Sequence, residues 1–284
     1  MAVGNHIGII ARGRAGAGPQ NPGGTIADIP MPRILVTNDD GVHSDGIRAL
    51  VESIRGLGDI TVVAPIQESS AIGHALTLRR PLRIDPVAEG WFAVDGTPTD
   101  CVNIAITHVL GGKPDLIVSG INKGWNIGDD VTYSGTVSAA LEGALLGVPS
   151  VAFSAPRVKD TCDFTTGAEA AAVVTRAVLD QGMPKFTLLN VNVPIGASRG
   201  MRITVQGRRN HTTVVSERMD PRHRAYYWIE EGENFWETQE RSDYQAVLEG
   251  FTSITPLKPD MTAYEALEYA KSLRLSAIPS TLVP

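Results

Sequence analysis

The sequence is poor in the features that mark secreted, membrane-bound or polymer-binding proteins. Its 284 residues include only two cysteines, Cys101 and Cys162, which lie far apart and show no CxxC or Cys/His spacing. We therefore expect two core thiols rather than a disulfide or a zinc site. No apolar run approaches the ~18 residues that a membrane span requires. The formal net charge of -6 disfavours binding of a polymeric nucleic acid. These absences predict a soluble, cytoplasmic protein with neither a membrane nor a nucleic-acid polymer as partner.

Several motifs of nucleotide-binding and hydrolytic proteins are also missing. The chain has no GxxxxGK[ST] sequence, and no GxGxxG sequence follows a strand. A P-loop or a dinucleotide-binding turn is therefore not indicated. The composition is otherwise that of an ordinary globular protein, with 43% apolar and 20% charged residues.

Residues 1–30 are rich in glycine and alanine and show neither a helical nor a strand period. This composition predicts a disordered leader. Arg12 and Arg14 follow the short apolar run instead of preceding it, which is the reverse of a secretory signal, so we expect no export. Met31 is a candidate for the true start of the protein.

Residues 31–200 alternate short β-branched runs with helical stretches. Residues 34–37, 46–57 and 60–64 read as a βαβ opening. Two further helical stretches end at glycine and proline before the buried strands 116–118 and 151–153. This rhythm predicts an α/β core with a doubly wound, mostly parallel sheet covered by helices on both faces.

Residues 201–284 follow a different pattern. Four strands are predicted without intervening helices, at 201–205, 211–217, 225–230 and 250–255, and a final helix at 263–273. The segment is unusually aromatic, through Tyr226, Tyr227, Trp228, Phe235 and Trp236. We expect a hairpin extension that makes subunit contacts; the alternative is a local core beneath the hairpin.

Polar residues at the ends of the predicted strands are the candidate site, because ligands of open α/β sheets bind outside the carboxyl ends of the strands. The first strand runs into Asp39-Asp40-Gly41, and neighbouring carboxylates repel each other unless a cation lies nearby. A simple turn is the alternative for this tripeptide. The strand 116–118 leads to a loop with Asn122 and Asn126. Aspartate, serine and asparagine oxygens at these strand ends suit Mg²⁺ or Mn²⁺ better than zinc.

A helix start follows that loop at Ser134-Gly135-Thr136. Backbone N–H groups at a helix N-terminus, together with hydroxyls, form a natural phosphate cradle. The alternative is a capped helix start with no ligand, in which Ser134 or Thr136 is the cap.

Taken together, five blocks of the sequence resemble the SurE family of survival-protein nucleotidases. The blocks are Ile34-Leu35-Val36-Thr37-Asn38-Asp39-Asp40-Gly41, Val63-Ala64-Pro65 with its serine loop, Gly96-Thr97-Pro98-Thr99-Asp100-Cys101, Val118-Ser119-Gly120-Ile121-Asn122 and Tyr133-Ser134-Gly135-Thr136-Val137. The resemblance runs in order from Met31 to about Val193. It implies a Rossmann-like core, 5′- and 3′-nucleotidase activity, and homodimers or homotetramers built through the C-terminal extension. It also implies one divalent metal ion per subunit, bound by Asp39, Asp40, Ser70 and Asn122.

The expected chemistry is hydrolysis of nucleoside monophosphates by a metal-activated water. Asp39, Asp40 and Asn126 are the predicted catalytic residues. The predicted phosphate-binding residues are Gly41, Asn126, Ser134, Gly135 and Thr136. Two alternatives stay open, a mechanism with Asp39 as the nucleophile and a nucleotide-binding protein without turnover. His43, His74 and Lys123 are assigned no catalytic role.

Overall fold

The structure is a computed structural model that describes residues 30–210, 213–231, 235–237 and 239–273. The predicted leader, apart from its last residue, lies outside this part of the chain. The strands are β1 (Arg33–Thr37), β2 (Asp59–Pro65), β3 (Ile84–Ala88), β4 (Trp91–Val94), β5 (Leu116–Lys123), β6 (Ser150–Ala155), β7 (Arg157–Val158), β8 (Thr161–Cys162), β9 (Leu188–Asn192), β10 (Met201–Ile203), β11 (Arg209–Asn210), β12 (Thr213–Met219), β13 (Ala225–Glu231), β14 (Phe235–Trp236) and β15 (Thr252–Leu257).

The helices in the same ranges are α1 (Asp45–Ser53), α2 (Pro98–Ile104), α3 (Gly135–Leu145), α4 (Thr165–Gln181), α5 (Asp243–Leu248) and α6 (Leu267–Ser272). A π-helical turn, Ala105–Val109, continues α2, and 3-10 turns occupy Gly128–Thr132 and Tyr264–Ala266. None of the helices that the structure describes is long and apolar enough to cross a membrane.

Nine strands form the main sheet, in the order β10-β15-β9-β6-β5-β1-β2-β4-β3. β1 pairs in parallel with β2 on one side and with β5 on the other, whereas β15 with β9 and β3 with β4 are antiparallel. The prediction of a mostly parallel sheet is therefore confirmed. Because the chain passes from β1 to β2 on one side and later returns to β5 on the other, the order of strands reverses at β1. This reversal is where open sheets bind ligands.

Helices cover both faces of the sheet, as predicted. Successive side chains of β1 point to opposite faces: Ile34 and Val36 pack in one core cluster, and Leu35 packs in another. The first cluster contains Ile47 and Leu50 of α1 with Ala170 and Val174 of α4. The second contains Cys101 and Val102 of α2 with Ala139 of α3.

Two elements differ from the sequence-based expectation. Helix α5 lies between β14 and β15, in a segment predicted to consist of strands without helices. The helix has only six residues and begins at Ser242, whose Oγ accepts a hydrogen bond from the Gln245 backbone N–H at 3.2 Å. A single short turn carries little periodic signal, which explains why it was missed. The antiparallel pair β3 and β4, at the edge of the main sheet, was not predicted either.

The C-terminal hairpin is present. β12 and β13 pair antiparallel from Met219↔Ala225 to Thr213↔Glu231. Tyr227, Trp228 and Ile229 are 60%, 54% and 79% exposed. Such exposure does not fit the alternative of a local core beneath the hairpin.

Candidate active site

The turn after β1 is built by its own side chains. The Asn38 Oδ1 accepts a hydrogen bond from the Gly41 N–H at 3.2 Å, and the Asn38 Nδ2 donates to the Ser44 Oγ at 2.8 Å. Gly41 has a φ of +98°, which favours glycine over any residue with a Cβ. The turn is also tied to the end of β2, because the Val42 N–H donates to the Pro65 carbonyl oxygen at 2.8 Å. Asp39 and Asp40 are thereby fixed at the reversal point of the sheet.

Asp39 lies directly against the first turn of α3. The Thr136 hydroxyl donates a hydrogen bond to the Asp39 Oδ1. A Cβ added to Gly135 would lie 2.7 Å from the Asp39 Cβ and 2.9 Å from its Oδ2, so only glycine allows this approach. Ser134 caps the helix, its Oγ accepting from the Val137 N–H at 3.1 Å. The segment is therefore a capped helix start whose N-terminus faces a carboxylate, and phosphate binding there stays a prediction.

The Asp39 carboxyl group is nearly buried, with 4% exposure. Burial raises the pKa of Asp39 to about 6; the hydrogen bond from Thr136 opposes this rise, and the neighbouring Asp40 adds to it. Burial also raises the pKa of Asp40, again with a lowering contribution from a backbone hydrogen bond. Both carboxylates are therefore costly to keep charged in the protein alone, and a cation beside them would relieve that cost.

A β-bulge brings the end of β5 to the same place. The pairing of β5 with β6 shifts between Ser119 and Asn122, and such bulges redirect side chains next to active sites. The Lys123 N–H donates to the Asp40 Oδ2 at 3.2 Å. The Asn122 Nδ2 donates to the Gly124 carbonyl oxygen at 2.9 Å, so the Asn122 Oδ1 is the atom suited to a cation. Asn122 thus sits one residue from a direct contact with Asp40.

Ser70 belongs to the loop of residues 66–80 after β2, here called the serine loop. Its hydroxyl is exposed and donates to the Glu68 Oε1 at 2.7 Å. The loop touches the site through the Ser69 N–H, which donates to the Asp39 carbonyl oxygen at 2.7 Å. The charge of Glu68 also raises the pKa of Asp40, behind burial as the main cause. The structure therefore places Ser70 one residue after a direct contact with Asp39, with its hydroxyl bonded to Glu68.

Polar contacts of His74, Ala75 and Thr77 hold the rest of the serine loop against α2 and α3. The His74 Nε2 lies 2.7 Å from the Glu142 Oε2, and the Asn103 Nδ2 donates to the Glu142 Oε1 at 2.7 Å. The Thr77 N–H donates to the Asp100 Oδ1 at 2.9 Å, and Thr97 Oγ1 donates to the Ala75 carbonyl oxygen at 2.7 Å. Sequence reasoning did not identify Glu142, which looks like an ordinary helical glutamate.

Asn126 lies in a different buried network. Its Nδ2 donates to the Ser154 Oγ at 2.8 Å and its N–H to the Asn192 Oδ1 at 2.9 Å. Its carbonyl oxygen accepts from the Asn190 Nδ2 at 2.7 Å. These bonds go to the ends of β6 and β9 rather than to Asp39 or Asp40. The alternating Asn190 and Asn192 at the end of β9 were the sequence signal for this network, and it was overlooked.

The donor set at this edge of the sheet fits a hard divalent cation. In the described ranges, 30–210, 213–231, 235–237 and 239–273, no trio of His, Cys, Asp or Glu side chains is arranged to hold a metal. The ligand set that the resemblance implies, the carboxylates of Asp39 and Asp40 with the Ser70 hydroxyl and the Asn122 amide oxygen, needs no such trio. Oxygen donors of this kind are those that Mg²⁺ and Mn²⁺ prefer.

Comparison with known proteins shows which family the chain belongs to. The family model for survival protein SurE matches residues 34–213. The chain belongs to this family. A 5′-nucleotidase SurE from Syntrophotalea carbinolica is 52% identical over 83% of this chain and 94% of its own length. Another from Geobacter sulfurreducens is 51% identical over 86% of this chain and 94% of its own.

A solved SurE structure shares the fold. The crystal structure of the SurE protein from Aquifex aeolicus is 42% identical, with a TM-score of 0.75 over 84% of this chain and 98% of that one. The SurE family and the α/β fold predicted from the sequence are therefore both confirmed.

Proposed function

We propose that this SurE protein is a metal-dependent phosphomonoesterase that hydrolyses nucleoside 5′- and 3′-monophosphates to nucleoside and inorganic phosphate. The observation that carries the proposal is the desolvated pair Asp39 and Asp40, of which Asp39 lies against the N-terminus of α3. The names of the curated relatives support the same reaction class. The proposed metal ligands are Asp39, Asp40, Ser70 and Asn122.

A bound Mg²⁺ or Mn²⁺ would supply Lewis-acid stabilisation of the phosphoryl group and make a water more acidic. The protein's own residues fix the geometry. Thr136 orients the Asp39 carboxylate, and the Lys123 N–H orients Asp40. Asp39 or Asp40 would also orient the attacking water or accept its proton.

The phosphate oxygens would bind at the start of α3. The Ser134 hydroxyl accepts from Val137, so its own proton is available for donation. The Gly135 N–H lies in the first turn of the helix, where backbone N–H groups lack intrahelical acceptors. Donors fixed in advance stabilise charge as it redistributes in the transition state. Asn126 would reach a phosphate oxygen only by exchanging its bond to Ser154.

A cavity beside the serine loop has the size needed for the nucleoside. It has a volume of about 420 Å³, and its lining includes Gln67, Glu68, Ser69, Asp95 and Thr97. Small-molecule sites have volumes of a few hundred Å³. The Ser69 N–H bonds the Asp39 carbonyl oxygen, so this cavity adjoins the turn that carries the aspartates.

We also propose that the β12–β13 hairpin joins subunits into a homodimer or homotetramer. The apolar side chains of Tyr227, Trp228 and Ile229 are exposed along one strand of the hairpin. Clustered exposed aromatics are typical of protein interfaces. Light scattering on the full chain and on a variant lacking residues 213–231 tests this, and an unchanged assembly would refute it.

Phosphate release from a panel of nucleoside monophosphates tests the activity. We expect release from 5′- and 3′-monophosphates with added Mn²⁺ or Mg²⁺, and loss of release in EDTA that excess metal restores. Binding of AMP without release would favour the nucleotide-binding alternative. A phosphoenzyme trapped by acid quench and lost in Asp39→Asn would instead favour Asp39 as the nucleophile.

A further inference from the structure

The loop between β5 and α3 is held from outside the core by the C-terminal segment. This loop, residues 124–134, runs from the bulge at Asn122 to the helix cap Ser134. Its middle contains Gly128, whose φ of +56° lies in the left-handed region that favours glycine. The Gly128 N–H donates to the Asp243 Oδ2 at 2.9 Å, although the two residues are 115 positions apart. A local turn therefore depends on a distant carboxylate.

Asp243 is fully buried at the start of α5 and binds three backbone N–H groups. Besides Gly128, the Gly207 N–H donates to its Oδ1 at 2.9 Å and the Tyr244 N–H donates at 2.8 Å. A Cβ added to Gly207 would lie 2.8 Å from that same Oδ1. A carboxylate that takes three backbone donors in the interior is expensive to remove, because each donor would be left without a partner.

Three other residues of the C-terminal segment contact the same stretch of the loop. The Gln206 Nε2 donates to the Gly128 carbonyl oxygen at 3.0 Å. The buried Arg209 donates from one guanidinium nitrogen to both carboxylate oxygens of Asp130, at 2.9 and 3.0 Å. Trp236 would lie 2.8 Å from a Cβ at Gly128, and its ring stacks on Tyr244 with centroids 4.0 Å apart. We call Gln206, Gly207, Arg209, Trp236 and Asp243 the C-terminal clamp.

The clamp is linked to the helix start by consecutive hydrogen bonds. Gly128 begins a 3-10 turn, and the Ser134 N–H donates to the Asp130 carbonyl oxygen at 3.2 Å. Ser134 then caps α3, whose first turn contacts Asp39. Asn126 lies two residues before Gly128. No bond of the clamp involves Asp39, Asp40, Ser70 or Asn122 among the residues that the structure describes.

We propose that Asp243 is a positioning residue for the phosphate side of the active site, acting through Gly128 on the loop that places Asn126 and Ser134. The proposal rests on the proposed function for the meaning of that loop. The clamp bonds the phosphate-binding side of the site directly and makes no direct bond to the proposed metal ligands, so its loss should affect phosphate binding more than metal binding. The proposal also gives a role to the base of the β12–β13 hairpin, because Arg209 of β11 pairs there with Trp236 of β14.

Asp243→Asn keeps the shape of the side chain but replaces one carboxylate oxygen with an NH₂ group. This group cannot accept a hydrogen bond, so one backbone N–H loses its acceptor. We expect the inhibition constant for inorganic phosphate and the KM for AMP to rise about tenfold. The dissociation constant for Mn²⁺ should stay within about twofold of the parent, because the metal ligands lie outside the clamp. Val247→Ala is the matched control, since it weakens the packing of a buried residue in the same helix without touching the loop.

Two outcomes would overturn the proposal. One is parental KM and phosphate inhibition in Asp243→Asn despite a lowered Tm, and the other is an equal rise in KM in Val247→Ala at a matched Tm. If Asp243→Asn does not fold, Gln206→Ala removes a milder bond of the same clamp and should raise KM in the same direction.

Amide hydrogen exchange decides the proposal independently of activity. The amides of residues 126–134 should exchange at least about tenfold faster in Asp243→Asn and at the parental rate in Val247→Ala. If the parent releases no phosphate but this exchange pattern holds, the proposed function fails while the positioning role stands. Unchanged exchange in Asp243→Asn would contradict the positioning role.

Discussion

Asp39 is touched by two parts of the chain that are held very differently. The start of α3 is buried, capped by Ser134 and joined to the carboxylate by Thr136. In the serine loop, Ser70 is exposed. Side-chain contacts such as the hydrogen bond between His74 and Glu142 tie the loop to the helices. The helix side is therefore fixed by packing, whereas the loop side depends on a few polar bonds. Loops with few buried contacts open most easily, so the two sides should respond differently to mutation.

Removing the charge of Asp39, which lies between the start of α3 and the serine loop, should have the largest effect on turnover. Asp39→Asn keeps the shape but removes a ligand of the proposed metal, and Lewis-acid stabilisation is worth several kcal/mol. Turnover should fall by roughly a thousandfold, measured as phosphate release at saturating Mn²⁺. Asp45→Asn, at an exposed position in the first turn of α1, is the charge-matched control and should keep parental turnover. Parental turnover in Asp39→Asn would remove this residue from the mechanism.

The raised pKa of Asp39 predicts a pH effect on stability in EDTA. The folded protein holds this proton up to a pKa of about 6, against an ordinary value of 3.8. Asp39 therefore contributes stability below about pH 4 that is lost as the pH rises through 6, in total about 3 kcal/mol. Asp39→Asn lacks this pH dependence. Its free energy of unfolding, measured in urea, should therefore rise relative to that of the parent between pH 4 and 7. A parent-to-variant difference that does not change with pH would contradict the buried position of Asp39.

Loss of the helix-side contact should have an intermediate effect. Thr136→Val removes the hydroxyl that orients Asp39 and leaves a buried carboxylate without that donor. Turnover should fall by about tenfold to a hundredfold, because hydrogen bonds to charged groups are strong. The control is Thr175→Val in α4: the Thr175 hydroxyl is buried without a hydrogen-bond partner among the described residues, so its removal should cost nothing. Equal losses in both variants would reduce the Thr136 effect to general destabilisation.

Loosening the serine loop should have the smallest effect. Glu142→Gln removes the charge that pairs with His74, whose hydrogen bond is the main reason that the pKa of Glu142 is lowered. Mn²⁺ should bind roughly threefold to tenfold more weakly, since Ser70 is held less firmly. Glu169→Gln, an exposed glutamate of α4, provides the control and should bind Mn²⁺ like the parent. A fall in turnover in Glu142→Gln as large as that in Thr136→Val would mean that the two sides do not differ.

Much of the fold followed from local patterns. The run Ile34 to Thr37 and the turn Asp39-Asp40-Gly41 are contiguous, and a first strand followed by a carboxylate turn can be read from a short window. A helix start at Ser134-Gly135-Thr136 was predicted for the same reason, with Ser134 or Thr136 as the cap, and the structure has Ser134 as the cap. Position at a strand end was enough to select Asp39.

The missed features depend on distant parts of the chain. His74 and Glu142 are 68 positions apart, and Gly128 and Asp243 are 115 apart, so no window contains either pair. The bulge in β5 is a property of its pairing with β6 rather than of its own residues. Helix α5 is too short for a period to be detected. Tertiary partners decide such features, and single-sequence patterns do not contain them.

The metal site is the central claim, and anomalous diffraction from crystals soaked in Mn²⁺ tests it most directly. We predict one peak per subunit, within coordination distance of the oxygens of Asp39, Asp40, Ser70 and Asn122, and its loss in crystals of Asp39→Asn. A strong peak held by other side chains, or an unchanged peak in Asp39→Asn, would contradict the account.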